Sequence, residues 1–258
     1  MTSPAREWIA ALRNSHERLV TLAKPLGGDA LTGRSYDSEW TIAQVLSHLG
    51  SGAEIAQLTL AAAVSGSTVD GEAYQPIWDA WNAKGPQEQA ADCLAADEAH
   101  VSRLEQLTDA ELAGIRHEFF GMDLDAVGLV RLRLSEHALH TWDVAVALDP
   151  AAEVAADAVA LLASHVPTVA RWAGGPAGEQ FRVRLRGSGP DADFLLTVAE
   201  SVSLAPWPGD GADVPELGLP DDALLRLVYG RLDPGHTPAA VTGDPADLDR
   251  VRAVFPGF

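Results

Sequence analysis

Through the first two-thirds of the chain, apolar residues recur at three-, four- and seven-residue intervals, the pattern of helices packed by one face. Trp8, Leu12, Leu19 and Leu22 share such a face. Ser3 and Pro4 supply a cap and a first helical position, and Pro25 with Gly27 and Gly28 ends the segment near Lys24. A second helix is predicted from Thr41, where Thr41 and Gln44 have capping-box spacing. Val45, Leu49, Gly52 and Ala56 line one side of it, and it fades by Gly66. A looser stretch carrying Tyr74, Trp78 and Trp81 follows. Gly85-Pro86 then opens a third helix, from about Gln87 to Leu107. A fourth, from about Leu124 to Leu148, is apolar nearly all round, as expected for a helix inside a bundle. Asp149-Pro150 stops it, and a fifth covers about Glu153 to Trp172.

Beyond Gly174-Gly175-Pro176 the period changes. Phe181 to Leu185 alternates apolar and polar residues, which predicts a half-buried strand. Gly187 to Pro190 reads as a turn, and Asp193 to Leu204 holds one or two more strands. Pro220 to Arg231 and Pro245 to Val254 read as short helices. The expected architecture is therefore a helical domain over residues 1–173 and a small α+β domain over residues 177–258, each long enough to bury a core.

Composition narrows the partners. The formal net charge of -19 over 258 residues disfavours phosphate backbones and anionic lipid, so neither nucleic acid nor membrane is expected. The start of the chain lacks the basic and apolar regions of a secretion signal, and no run of apolar residues is long enough to span a bilayer. A single cysteine, Cys93, rules out an intrachain disulfide and agrees with a cytoplasmic location. Cys93 sits among alanines in a helical stretch and reads as a small buried side chain. No dimerisation heptad is evident, and the oligomeric state stays open, with a monomer favoured.

Two segments carry candidate chemistry. In Glu136-His-Ala-Leu-His140, the Glu and His are four apart, so their side chains lie one above the other. Leu132 and Val144 extend the same stripe. A carboxylate on a stripe expected to be buried needs a partner. That partner is either His140 alone, in a structural pair, or a metal ion held by both. His48, in Trp40-Thr-Ile-Ala-Gln-Val-Leu-Ser-His48-Leu49, falls at the edge of the buried arc of the second helix and can face a neighbour. With the Glu136/His140 pair it would complete a two-histidine, one-carboxylate set, which suits catalytic Zn²⁺ but also describes non-haem Fe(II) sites.

These residues resemble a known family. Trp-Thr-x5-Ser-His-Leu in the second helix, Glu-x3-His-x-Trp-Asp in the fourth and Tyr229-Gly-Arg231 in the last quarter are similar, in order, to the mycothiol-dependent maleylpyruvate isomerase family. The resemblance implies a DinB-like four-helix bundle followed by a small α+β domain, and metal ligands at His48, Glu136 and His140. It implies Zn²⁺ as the metal and mycothiol as thiol cosubstrate, acting on a small-molecule electrophile as an isomerase or an S-transferase. A thiol on zinc is deprotonated and so becomes the attacking group. Arg231 matches the arginine that the family is thought to set on the substrate carboxylate near the metal, a task suited to a planar guanidinium. Asp143 is a candidate acceptor for a metal-bound histidine.

Three other readings stay open: a metal-water hydrolase on the same bundle, an Fe(II) oxygenase, and a non-catalytic ligand-binding protein. His16, His100, His117, His137, His165 and His236 have no ligand spacing and read as structural or exposed. Trp78 and Trp81 read as packing. No phosphate-cradling glycine loop and no nucleophile elbow is present.

Overall fold

A computed structural model describes residues 2–37, 39–119, 121–176, 178–189, 192–209 and 213–257. The chain divides into two compact units, Met1–Val154 and Ala155–Phe258.

The first unit is built on four long helices, α1 (Ala5–Ala23), α3 (Ile42–Ser65), α5 (Pro86–Gln106) and α7 (Ala126–Leu148). The helix α3 packs on α5 and α7, and α1 packs on the same two, which closes a four-helix bundle. Its core includes Leu19, Val45, Leu46, Leu49, Cys93 and Val144. Short elements fill the connections: α2 (Asp29–Thr32), α4 (Tyr74–Asn82), α6 (Asp109–Gly114) and an antiparallel hairpin of β1 (His117–Phe119) and β2 (Met122–Leu124).

Local chemistry fixes the helices that matter most. The expected capping box opens α3: Gln44 N donates to Thr41 Oγ1 (3.2 Å) and Thr41 N to Gln44 Oε1 (2.9 Å). At the other end Gly66 adopts φ +71°, the left-handed C-cap that suits glycine. Asp125 caps α7 by accepting from Gly128 N at 2.8 Å.

Where a looser stretch was expected, Tyr74–Asn82 forms α4, with Pro76 tolerated in its first turn. Nine residues are too few for a clear helical period. Trp81 of α4 is almost wholly buried and lies flush against Gly50 of α3, where a Cβ would stand 2.2 Å from the indole. Ser47 and Gln89 both donate to the Trp81 carbonyl.

The second unit comprises α8 (Ala156–Leu162), α9 (Val166–Ala173), a four-stranded sheet, α10 (Asp221–Val228) and α11 (Pro245–Val254). The strands β3 (Phe181–Arg186), β4 (Asp193–Val198), β5 (Val202–Pro206) and β6 (Glu216–Gly218) lie in the order β5-β4-β3-β6, with only β3 and β6 parallel. Alternation holds as expected: Val183, Leu185, Leu196 and Val198 are buried, while Arg184 faces outward to Asp193 and Glu216. Pro190, the end of the expected turn, lies outside the described residues.

The single fifth helix expected over Glu153–Trp172 is instead α8 and α9, joined by a 3-10 turn at Ala163–His165. Pro167, which lacks an N–H, sits at the start of α9 and cannot continue a helix from upstream. The expected partition at 173/177 also differs from the division at Val154/Ala155. The period does change from helix to strand between Ala173 and Phe181. But α9 packs on β5, and α10 packs on α8 and α9, so these helices belong to the second core. Periodicity reports the type of an element, not the core it joins.

Candidate metal centre

His48 lies in the second turn of α3, and Glu136 and His140 lie one turn apart on α7. Because α3 and α7 are neighbours, the three side chains meet, with one ligand atom from each lying within 4.8 Å of the others. Glu136 Oε2 is 3.1 Å from His48 Nε2 and 3.7 Å from His140 Nε2. The two imidazoles meet edge to face at 4.6 Å. Trp40 stacks over His140 (6.3 Å, 18°) and tilts against His48 (5.3 Å), so the indole walls both rings on one side.

The orientation of His140 is set from behind. Its Nδ1 is 2.8 Å from Asp143 Oδ2, and Asp143 is buried. With Nδ1 donating to that carboxylate, Nε2 is the nitrogen that faces Glu136 and His48, and in the neutral ring it carries the lone pair. Burial would push the His140 pKa down, but Asp143 and Glu136 outweigh it and hold it above its ordinary value. Desolvation likewise opposes ionisation of Glu136, yet its interactions with His140 and His48 hold the carboxyl well below the usual carboxylate range. An anionic carboxylate and two imidazoles converging on one point, one of them with its tautomer fixed, form a donor set that fits a divalent ion.

The α7 stripe predicts a buried Glu136, but its side chain is 52% exposed. The α7 face opens onto a recess at this point, so burial disfavours the Glu136 charge only in part and does not by itself demand a partner. The convergence of the two rings on the carboxylate does.

A second polar cluster lies deeper in the bundle. Asp97 of α5, wholly buried, accepts from His16 Nδ1 (2.7 Å), His137 Nε2 (2.8 Å) and Arg133 Nη2 (2.8 Å). The same Arg133 nitrogen donates to Leu49 O of α3 at 2.9 Å. His137 Nδ1 meets Ser15 Oγ at 2.8 Å, and His16 Nε2 meets Glu98 at 3.0 Å. Although His16, Asp97 and His137 are close enough to hold an ion, both nitrogens of each ring already have partners and a guanidinium occupies the carboxylate. The cluster is a clamp joining all four long helices. The sequence reading set His16 and His137 aside as structural and missed Asp97 and Arg133. The signal available was Arg133 and His137, four apart on one helix.

The other candidates are placed as follows. Arg231 follows α10 in the second unit, where its Nη1 donates to Tyr229 O at 3.0 Å. Cys93 is buried and free, and burial pushes its thiol pKa up, away from thiolate chemistry. His236 sits beside Asp233 at 2.8 Å. Among the described residues no helix is long and apolar enough to cross a membrane.

The fold and site define a class: a helical bundle that presents two histidines and a carboxylate from adjacent helices, followed by a small α+β unit. Residues 12–145 match the family described as mycothiol maleylpyruvate isomerase N-terminal domain, and the chain belongs to that family. A crystal structure of the mycothiol-dependent maleylpyruvate isomerase shares the fold, with a TM-score of 0.67 at 16% identity over 95% of this chain and 96% of that one. A histidine-to-alanine mutant of that enzyme superposes equally well. No curated protein matches the sequence.

Proposed function

We propose that this protein is a zinc-dependent thiol enzyme that uses mycothiol as cosubstrate and acts on a small-molecule electrophile, as a maleylpyruvate isomerase-like isomerase or a mycothiol S-transferase. The observation that carries this reading is the meeting of His48, Glu136 and His140 in a chain of this family. A divalent ion with three such ligands keeps a coordination position for a small molecule and stabilises a thiol bound there as thiolate at neutral pH. The chain's own residues prepare that site. Asp143 fixes the His140 tautomer, Trp40 shields both rings from water on one side, and Glu136 supplies the one negative charge among the three ligands. Arg231 is assigned to a substrate carboxylate, as the family resemblance implies. A cytoplasmic location completes the reading, in keeping with one buried, unpaired cysteine.

Metal analysis of protein purified without added metal tests the proposal. Wild type is expected to carry about one zinc per chain and to bind added mycothiol, and His48→Ala and His140→Ala are expected to lose the ion. Stoichiometric zinc in either variant would overturn the ligand assignment, and iron with oxygen consumption would favour an oxygenase. Arg231→Lys should lower turnover of a carboxylate substrate with zinc content unchanged, because a point charge cannot replace the bidentate fork.

A further inference from the structure

Beside the candidate metal centre, wholly within the first unit, is a cavity of about 250 Å³. His48 and Glu136 form part of its wall. Most of the remaining wall is aliphatic, from Ile55 and Leu60 of α3 and Leu129 and Leu132 of α7, with Trp78 and Phe119 adding aromatic surface. An apolar cavity of about 150 Å³ already takes benzene, so this one has room for a ring with a short substituent.

Apart from His48 and Glu136, three polar residues of the wall are buried and carry an atom without a partner. Thr59 Oγ1, His100 Nδ1 and Arg133 Nε have no hydrogen-bond partner among the described residues, and all three side chains are more than nine-tenths buried. Unsatisfied buried polar atoms are costly and uncommon, but these three have almost no accessible surface of their own, so an occupant of the cavity meets the apolar lining rather than them.

Charge decides what kind. The one buried cation in this wall, Arg133, is neutralised by Asp97 at 2.8 Å. His100 is kept neutral, its pKa lowered to about 3 by burial and then by the nearby Arg133 charge. Away from the ion proposed at His48 and Glu136, the described residues of the wall offer no spare positive charge, and a carboxylate placed among them would lose its hydration without an ion partner. A carbonyl or hydroxyl would lose far less.

We infer that this cavity receives the non-reacting part of the electrophile, and that this part is an uncharged aryl or branched alkyl group bearing at most a neutral polar group. The inference rests on the proposed metal-thiol function and adds its substrate class, an electrophile whose non-reacting part is lipophilic and whose carboxylate, where it has one, lies outside this cavity.

Calorimetric titration tests it with two unreactive probes, 4-phenylbutan-2-one and maleate, on zinc-loaded and on chelator-treated full-length protein. The ketone is expected to bind both forms, with the negative heat-capacity change of apolar burial. Maleate should bind the chelated form at least roughly tenfold more weakly than the ketone does. Ala56→Phe, which adds a ring to the lining, should weaken the ketone at least roughly tenfold with zinc content unchanged. Leu132→Gln, which adds a polar group to the same wall, should do the same and serves if Ala56→Phe fails to fold. Zinc-loaded wild type that ignores the ketone, or variants that bind it as wild type does, would overturn the inference and leave the metal-thiol reading standing. Ketone binding by a protein that takes up no zinc would instead overturn the metal-thiol reading, and with it the assignment of the cavity to an electrophile.

Discussion

Replacing Asp97 by Asn removes one charge from the clamp that joins the four long helices. The carboxylate accepts three hydrogen bonds at 2.7–2.8 Å, from His16, His137 and Arg133. Each bond to a charged group contributes roughly 1.5–3 kcal/mol. The amide keeps one acceptor oxygen and places an NH₂ where the other stood, so not all three bonds are lost. What it cannot restore is the counter-charge for Arg133, whose side chain is only 7% exposed. Breaking a buried ion pair on one side costs about 3–5 kcal/mol, a large share of the roughly 5–15 kcal/mol that holds a typical domain together. At a urea slope of about 2 kcal/mol/M the midpoint should fall by about 1.5–2.5 M. Urea unfolding followed by tryptophan fluorescence measures this, since Trp81 and Trp142 are buried in the same unit. The pH dependence adds a second check. Burial opposes ionisation of Asp97, but His137, His16 and Arg133 outweigh it and hold the carboxyl well below its ordinary value. Its contribution is then complete above the unfolded pKa of about 3.9 and is lost as pH falls through the folded value. The deficit of Asp97→Asn should therefore be constant above about pH 5 and narrow only in strong acid. Pairing it with Arg133→Met should recover part of the loss, because no uncompensated charge remains. A midpoint shift under about 0.5 M, below the roughly 1 kcal/mol expected of one neutral hydrogen bond, would refute the clamp.

Asp143→Asn should weaken zinc binding about 10–100-fold, measured by competition with a chelator, because the amide cannot hold the His140 tautomer as firmly. His100, lowered to about 3 by burial, stays neutral in the fold while the unfolded chain takes up a proton below about 6.5. Stability is thus lost as pH falls through that unfolded value, by about 2 kcal/mol between pH 7 and pH 5 from this residue alone. His100→Phe should flatten that limb of the stability–pH curve, and an unchanged slope would show that His100 is not held neutral. Gly50→Ala forces a methyl into the Trp81 ring and should cost about 1–3 kcal/mol in thermal or urea unfolding.

Local rules were enough for the long helices, the cap at Thr41, the alternating strand at Phe181 and the stacking of Glu136 over His140, because each depends on residues a few positions apart. They were enough to name His48 as a third candidate, but not to bring it to Glu136. That takes the packing of α3 on α7, which joins residues 88 positions apart. The same limit shows elsewhere. Glu136 reads as buried from its stripe, yet a stripe does not say where a helix face opens to solvent. Residues 156–173 read as part of the first helical domain, yet which core a helix joins depends on the strand it meets. Asp97, Arg133, His100 and Thr59 lie on three different helices, and each looks ordinary in sequence. Only the tertiary structure brings Arg133 onto Asp97 and sets it, with His100 and Thr59, around one cavity beside the candidate metal ligands, because burial and charge pairing are properties of the assembled bundle rather than of any one segment.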